Sequence, residues 1–245
     1  MMKKILFSLL LSVSVCACQV GQLATLYNDK TSTEQNGLRV DADGLPITGV
    51  YQKYSPSMRL MEEIHYVNGQ ISGKYTAYDD EGRVYLKAQY KKGEPNGKTI
   101  EYYTNGKEKE ISTYRKGKLV GGQLAYYPNG DLMRKGSYKE GLKNGVFEEY
   151  YPNGAVKTSV TYKLGCQHGP SRVYTKDNRL INYTEFENGM REGVANSYYD
   201  DETPHILTQR KNDKLDGVAK VFNKQGELVE LVTYQDGKEI KRTRF

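Results

Sequence analysis

The sequence predicts an all-β protein, an elongated, twisted antiparallel meander sheet of about eight 24-residue hairpin repeats. Three observations predict it. "YYTNG" at Tyr102–Gly106 is followed by "YYPNG" at Tyr126–Gly130 and again at Tyr150–Gly154, so the motif returns every 24 residues. A glycine keeps the same clock at Gly49, Gly73, Gly97, Gly121, Gly145, Gly169, Gly193 and Gly217, which defines eight units. The segments between the glycine signals are rich in Tyr, Val, Ile and Thr, as strands are.

Each unit is counted from its glycine as offset 0. Offset 5 is aromatic throughout: Tyr54, Tyr78, Tyr102, Tyr126, Tyr150, Tyr174, Tyr198 and Phe222. Offset 17 is aromatic except at Arg210, and offset 20 is glycine except at Asp213. Asn-Gly between strand-like residues predicts a type I′ hairpin turn at Asn105-Gly106, Asn129-Gly130 and Asn153-Gly154. With that turn as centre, offsets that sum to 17 face each other. The offset-17 ring then lies across from the offset-0 glycine and covers its backbone. A second glycine-bearing connection, such as "KKGEPN" at residues 91–96, links one hairpin to the next.

Side chains alternate along a strand, so offsets 5 and 6 point to opposite faces. The invariant rings at offset 5 predict the packed face, with the small residues of offset 15 between them. Offset 6 is mixed: Tyr103, Tyr127, Tyr151 and Tyr199, but Ser55, Asp79, Thr175 and Asn223. A mixed column reads as a solvated face. Tyr103, Tyr127 and Tyr151 come from successive units and read either as a partner surface or as cross-strand fillers.

Glycine-led units with "YYxNG" and a later "Y…G" resemble the MORN-variant repeats found in YwqK-like antitoxin proteins. The resemblance spans residues 49–240, with a half unit before it at residues 37–48. It implies a meander of hairpins in one long sheet, and a protein-binding role of the antitoxin or immunity type, with a toxin as partner. Two units depart from the pattern. The first has Ser57 and Met58 in place of the turn residues, and the seventh has Asp201 and Glu202.

The amino-terminus predicts export. "MMKK" precedes the apolar stretch "ILFSLLLSVSVCA", a basic-then-apolar pattern too short for a membrane span. "VCAC" at residues 15–18 resembles the bacterial lipobox, which implies cleavage before Cys18 and acylation of that cysteine. The other reading of this stretch is a plain secretion signal. The expected organisation is a signal peptide over residues 1–17, a lipidated Cys18 and polar tether over 18–36, and the repeat domain over 37–245. The expected location is a membrane-anchored lipoprotein facing the periplasm or cell surface. After cleavage only Cys18 and Cys166 remain, and lipid on the Cys18 sulfur leaves Cys166 without an intramolecular partner, so no internal disulfide is expected.

Composition fits a repeat array better than a two-layer core. Hydrophobic residues make up 37% of the 245, there is no tryptophan, and mean hydropathy is −0.75. An array in which each unit packs on its neighbours needs fewer aliphatics. The 36 basic and 30 acidic residues are interspersed along the chain, which gives no support for nucleic-acid binding. The three histidines, His65, His168 and His205, have no metal-binding spacing. Cys166 and His168 form a weak pair without a third orienting group, and no carboxylate pair stands out for acid–base work. The expectation is a binding module with no cofactor, metal or small-molecule substrate, and not an enzyme. The alternative is an envelope scaffold or a membrane-lipid-binding repeat protein.

Overall fold

A computed structural model describes residues 25–245. The expected signal peptide, Cys18 and the start of the expected tether lie outside the described residues. The rest is one long open sheet and a separate two-stranded hairpin, with no helix among the described residues. Each unit supplies a first strand such as Gly121–Tyr126 and a second such as Leu132–Lys139, and each strand pairs antiparallel with its neighbour in sequence. The meander runs from Gly49–Tyr54 to Lys238–Arg244. Meander topology follows from connections of only a few residues, which leave no length for a crossover.

The predicted register holds in all eight units. Offset 0 pairs with offset 17 from Gly49↔Tyr66 to Gly217↔Tyr234, including Gly193↔Arg210. The turn behind it is not the one predicted. In unit four Gly130 N donates to Tyr127 O at 2.8 Å and Tyr127 N to Asp131 O at 2.8 Å. Only Gly130 of the Asn-Gly pair has positive φ, at 95°. This is a three-residue loop, a type I turn followed by a left-handed residue. Such a loop centres the pairing on offsets that sum to 16, as in Tyr126↔Leu132. A β-bulge between Ala125 and Tyr126 then adds one residue, and Ala125 pairs with Arg134. The two effects restore the sum of 17. Met58 (φ 61°) and Glu202 (φ 67°) take the left-handed position where glycine is missing, so the departing units close the same loop.

Type I′ turns occur instead at the links. Lys116-Gly117 (φ 49° and 72°) and Leu164-Gly165 (φ 47° and 91°) both carry the two positive φ values that this turn requires. A wide bulge follows each link. Ile64 pairs with Tyr75 and Tyr66 with Ile71, so Ser72, Gly73 and Lys74 together oppose His65. The offset-0 glycines sit in these bulges with φ from 67° to 155°. A Cβ at Gly97 would stand 2.7 Å from the Gln89 Cβ. The glycine clock is therefore set by the bulge as well as by the ring opposite.

The packed face is not the predicted one. Offset 15 pairs with offset 2, as in Tyr51↔Ile64, Tyr75↔Ala88 and Phe147↔Val160. This pair column, with offset 4, holds nearly all the buried residues of the units, among them Tyr51, Ile64, Ala77, Ala125, Phe147 and Val232. The offset-17 rings lie on the same face. Tyr138 and Tyr162 each meet Phe147 edge-on at 5.2 Å, and a Cβ on Gly136 would overlap the Phe147 ring. The offset-5 rings point the other way. Tyr150 Oη donates to Glu148 at 2.5 Å and Tyr54 Oη to Gln52 at 2.8 Å, both two residues away on one strand and hence on one face. They are half-buried or, in Tyr54, exposed.

The amino-terminal segment is folded, which corrects the tether over Leu26–Asn36. Leu26–Tyr27 adds a parallel strand to Val50 and Tyr51. Ser32–Gln35 and Leu38–Asp41 form a hairpin, and the expected half unit becomes part of this cap. Ile47 packs with Tyr51 and Ile64, joined by Tyr27, Tyr66, Ile71 and Tyr75. The Arg39 guanidinium lies 3.9 Å from the Tyr51 ring centroid and pairs with Asp29 at 2.8 Å. Tyr51 Oη donates to Asp29. Burial and that hydrogen bond push the Tyr51 hydroxyl up to about 12. A terminal unit of a repeat array has one uncovered side, and this segment covers it.

Candidate functional surface

The sheet offers two edges and two faces. The loop edge carries Tyr103, Tyr127 and Tyr151, and the structure does bring them into a ladder. Each hydroxyl donates to the carbonyl at offset 5 of the next unit: Tyr103 to Tyr126 at 2.7 Å, Tyr127 to Tyr150 at 2.7 Å, Tyr151 to Tyr174 at 2.9 Å. Tyr199 does the same to Phe222 at 3.0 Å. The rings are half-buried. Their hydroxyl groups are therefore hydrogen-bonded within the array.

The mixed composition of offset 6 has a local cause. Where tyrosine is absent, the residue caps its own loop. Asp79 Oδ1 accepts from Glu81 N and Arg83 N at 3.0 and 2.9 Å. Thr175 and Asn223 accept from the corresponding amides, and Ser55 from Arg59 N. Where tyrosine is present, offset 8 takes over the cap. Asn105, Asn129, Asn153 and Asp201 each accept the amide two residues on, at 3.0 to 3.1 Å. Asn105 and Asn153 also donate to the next loop at 2.8 Å. Every unit thus satisfies its loop amides, by one of two residue sets.

At the link edge successive turns stack. Gly117, Gly141 and Gly165 N donate to the carbonyls of Pro95, Leu119 and Lys143 in the preceding links at 2.8 to 2.9 Å. Lys116 N and Leu164 N reach the Asn96 and Asn144 side chains at 3.2 and 3.3 Å. The glycine-bearing links were legible in the sequence, but their stacking on one another was not, since it joins residues more than 20 apart.

The remaining candidates are dispersed. Cys166 is exposed, and His168 Nδ1 is buried without a partner. His205 lies against the Tyr199 ring at 4.5 Å, and His65 backs Gly73. Among the described residues no group of three or more His, Cys, Asp or Glu is placed to hold a metal ion. The ring-bearing face is the largest organised feature. Beyond the first two units it carries Tyr114, Tyr138, Phe147, Tyr162 and Phe186, and the strands' contacts run chiefly to neighbours in the sheet.

Fold and surface together define an open, all-β repeat protein. Three of its units are similar to a known family: the description of the MORN repeat variant matches residues 95–116, 119–140 and 143–164. No curated protein matches the chain.

Proposed function

We propose that the chain is a protein-binding repeat module, held at a membrane through lipid on Cys18 and facing the periplasm or cell exterior. The observation that carries the binding reading is the open ring face. Tyrosine and phenylalanine give large, rigid contact area at low entropy cost, and the rings of this face beyond the first two units, half-buried except for the buried Phe147, keep part of their surface accessible. An antitoxin or immunity role is the narrower form of this reading, supported by the resemblance of the repeats alone. Tyr103, Tyr127 and Tyr151 hold the array in shape in this account, and the partner sits on the ring face.

The test is capture of the partner from the protein's own cells, followed by the same capture with Leu86→Glu and Leu119→Glu. Both side chains are half-buried beside the ring column. Loss of capture by folded variants supports the reading, and undiminished capture overturns the choice of face. Cys18→Ala should abolish labelling by a fatty-acid analogue and release the protein from membranes. A variant that still pellets, from a wild type that takes no label, rejects the anchor.

A further inference from the structure

We infer that the link edge of units two to five receives a flexible acidic protein segment that also carries apolar side chains. The inference rests on the protein-binding reading and names a second contact and its chemistry. Residues 91–96, 115–120, 139–144 and 163–168 carry eight Lys or Arg and two Glu, an excess equal to the whole formal charge of +6. The fold places all four stretches on one edge, because each is a link turn stacked on the one before. The opposite edge over the same units has the reverse sign: residues 79–83, 103–107, 127–131 and 151–155 carry two Lys or Arg and four Asp or Glu.

Six of the eight cations are uncommitted, while Lys118 is ion-paired and the Lys143 Nζ lies 4.9 and 4.7 Å from the Phe147 and Tyr162 ring centroids. Lys91, Lys92, Arg115, Lys116, Lys139 and Lys163 are exposed. The ion pair on this edge is Lys118–Glu140 at 3.3 Å, between two exposed side chains. Elsewhere in the sheet some basic residues are paired, as in Lys53–Glu62, Lys135–Glu148 and Arg134–Glu110. Lys91, Arg115, Lys139 and Lys163 share offset 18 in consecutive units, so they form a column with steps of about 10 Å, two strand spacings.

Apolar side chains stand among them. Leu164 is 51% exposed and occupies the first left-handed position of its turn, at φ 47°. That position holds Asn, Lys, Glu or Asp in the other seven links. Leucine there is unfavourable in backbone conformation and in solvation alike. Leu142 is also exposed, at 48%, and its Cδ2 lies 3.5 Å from where a Cβ on Gly165 would stand. The two leucines therefore flank one turn between Lys139 and Lys163.

Shape selects among anionic partners. Adjacent strands rotate by about 20–25°, so the cation column turns by roughly 40–50° per unit. A flat anionic surface meets one or two members of such a column, whereas a flexible chain can follow all four. Nucleic acid calls for aromatic rings to stack bases at the site, and these turn tips carry leucines. Carboxylates interspersed with apolar side chains match both features.

The probe is a fluorescein-labelled disordered peptide of Asp and Glu with Leu at every fourth position, followed by anisotropy at increasing salt. Wild type should bind, and binding should weaken as salt rises. The set Lys91→Glu, Arg115→Glu, Lys139→Glu and Lys163→Glu should lose about tenfold or more in affinity. The set Lys176→Glu, Lys220→Glu, Lys224→Glu and Lys241→Glu makes the same change in net charge and should stay within about twofold. Leu142→Ser with Leu164→Asn should weaken binding about fivefold and leave the salt slope unchanged. If the first set fails to melt cooperatively, glutamine at the same four positions replaces it. Equal losses in the two charge sets overturn the inference. So does tighter binding of single-stranded DNA or phosphatidylglycerol vesicles than of the peptide. A wild type that ignores the peptide, with native-partner capture unaffected by the edge set, sinks this inference and spares the protein-binding reading. Absence of any captured partner sinks both.

Discussion

Units three, four, five and seven close their loops differently from units one, two, six and eight. The first group uses a tyrosine at offset 6 to reach the next unit and an Asn or Asp at offset 8 to cap the loop. The second group caps from offset 6 itself, through Ser55, Asp79, Thr175 or Asn223, and where it reaches the next loop it does so by an arginine at offset 10, Arg59 to Asp80 O and Arg179 to Asp200 O. The backbone is the same in both. The lesson is that a repeat column with mixed residues can serve one structural need by two chemistries. Variation in that column is therefore no mark of a binding site. The matched family segments fall on three of the tyrosine-bearing units, while units without that tyrosine share their geometry.

The largest test removes the reach altogether. Tyr103→Ser, Tyr127→Ser and Tyr151→Ser together should cost about 3–5 kcal/mol, since each deletes a hydrogen bond worth roughly 1 kcal/mol and part of a half-buried ring. Chemical denaturation measures it. A loss no greater than that of three surface changes would show that the ladder is idle and reopen the partner reading of these residues.

Single changes then separate the two chemistries. Tyr127→Phe keeps the ring and should cost about 0.5–1.5 kcal/mol through its cross-unit bond. Asp79→Ala should cost about 1 kcal/mol through its own loop, as loss of a side-chain cap does. Amide exchange should locate the first effect at the joint of units four and five and the second within the loop of unit two. A smaller contrast concerns Asn223→Tyr. The change forfeits the cap on the Gln225 and Glu227 amides. The melting temperature should fall, by less than for Tyr127→Ser.

Acid sharpens the comparison further. Asp201 caps unit seven where units three to five use asparagine, and the Thr203 amide holds its carboxyl below the ordinary 3.8. A depressed carboxylate contributes stability that is present above pH 3.8, the unfolded value, and is lost as pH falls through the folded one. Exchange protection in the loop of unit seven should therefore drop in acid before that of units three to five. Asp201→Asn should remove the difference. Equal acid sensitivity in all four loops would reject the assignment of the cap.

Much of the fold was legible because it is local and repeated. The glycine clock, the hairpin count and the pairing of offsets 0 and 17 follow from spacing alone. The register was read correctly through an incorrect turn, because a three-residue loop and a one-residue bulge cancel in the sum. The packed face was misread because periodicity weighs how invariant a column is, not which way it points. Offset 5 is the more regular column, but offset 2, with residues as different as Tyr51, Gln123, Phe147 and Ala219, is the one that meets offset 15. In that column a side chain can fill space left in the neighbouring unit, as the Phe147 ring does over Gly136, so no single residue type recurs.

What the sequence determined by itself is the repeat: a hairpin every 24 residues, strands of alternating character, turns at fixed positions. These depend on φ preferences and on side-chain alternation, which act within a few residues. What only the tertiary structure decided is how units meet. The amino-terminal segment reads as polar and unpatterned, yet it folds over Tyr51 because Ile47, Arg39 and Asp29 find partners there. Lysines scattered through four links become one charged edge because stacked turns align them. Both depend on residues that approach from a unit or more away, and such proximity leaves no local trace in the order of the chain.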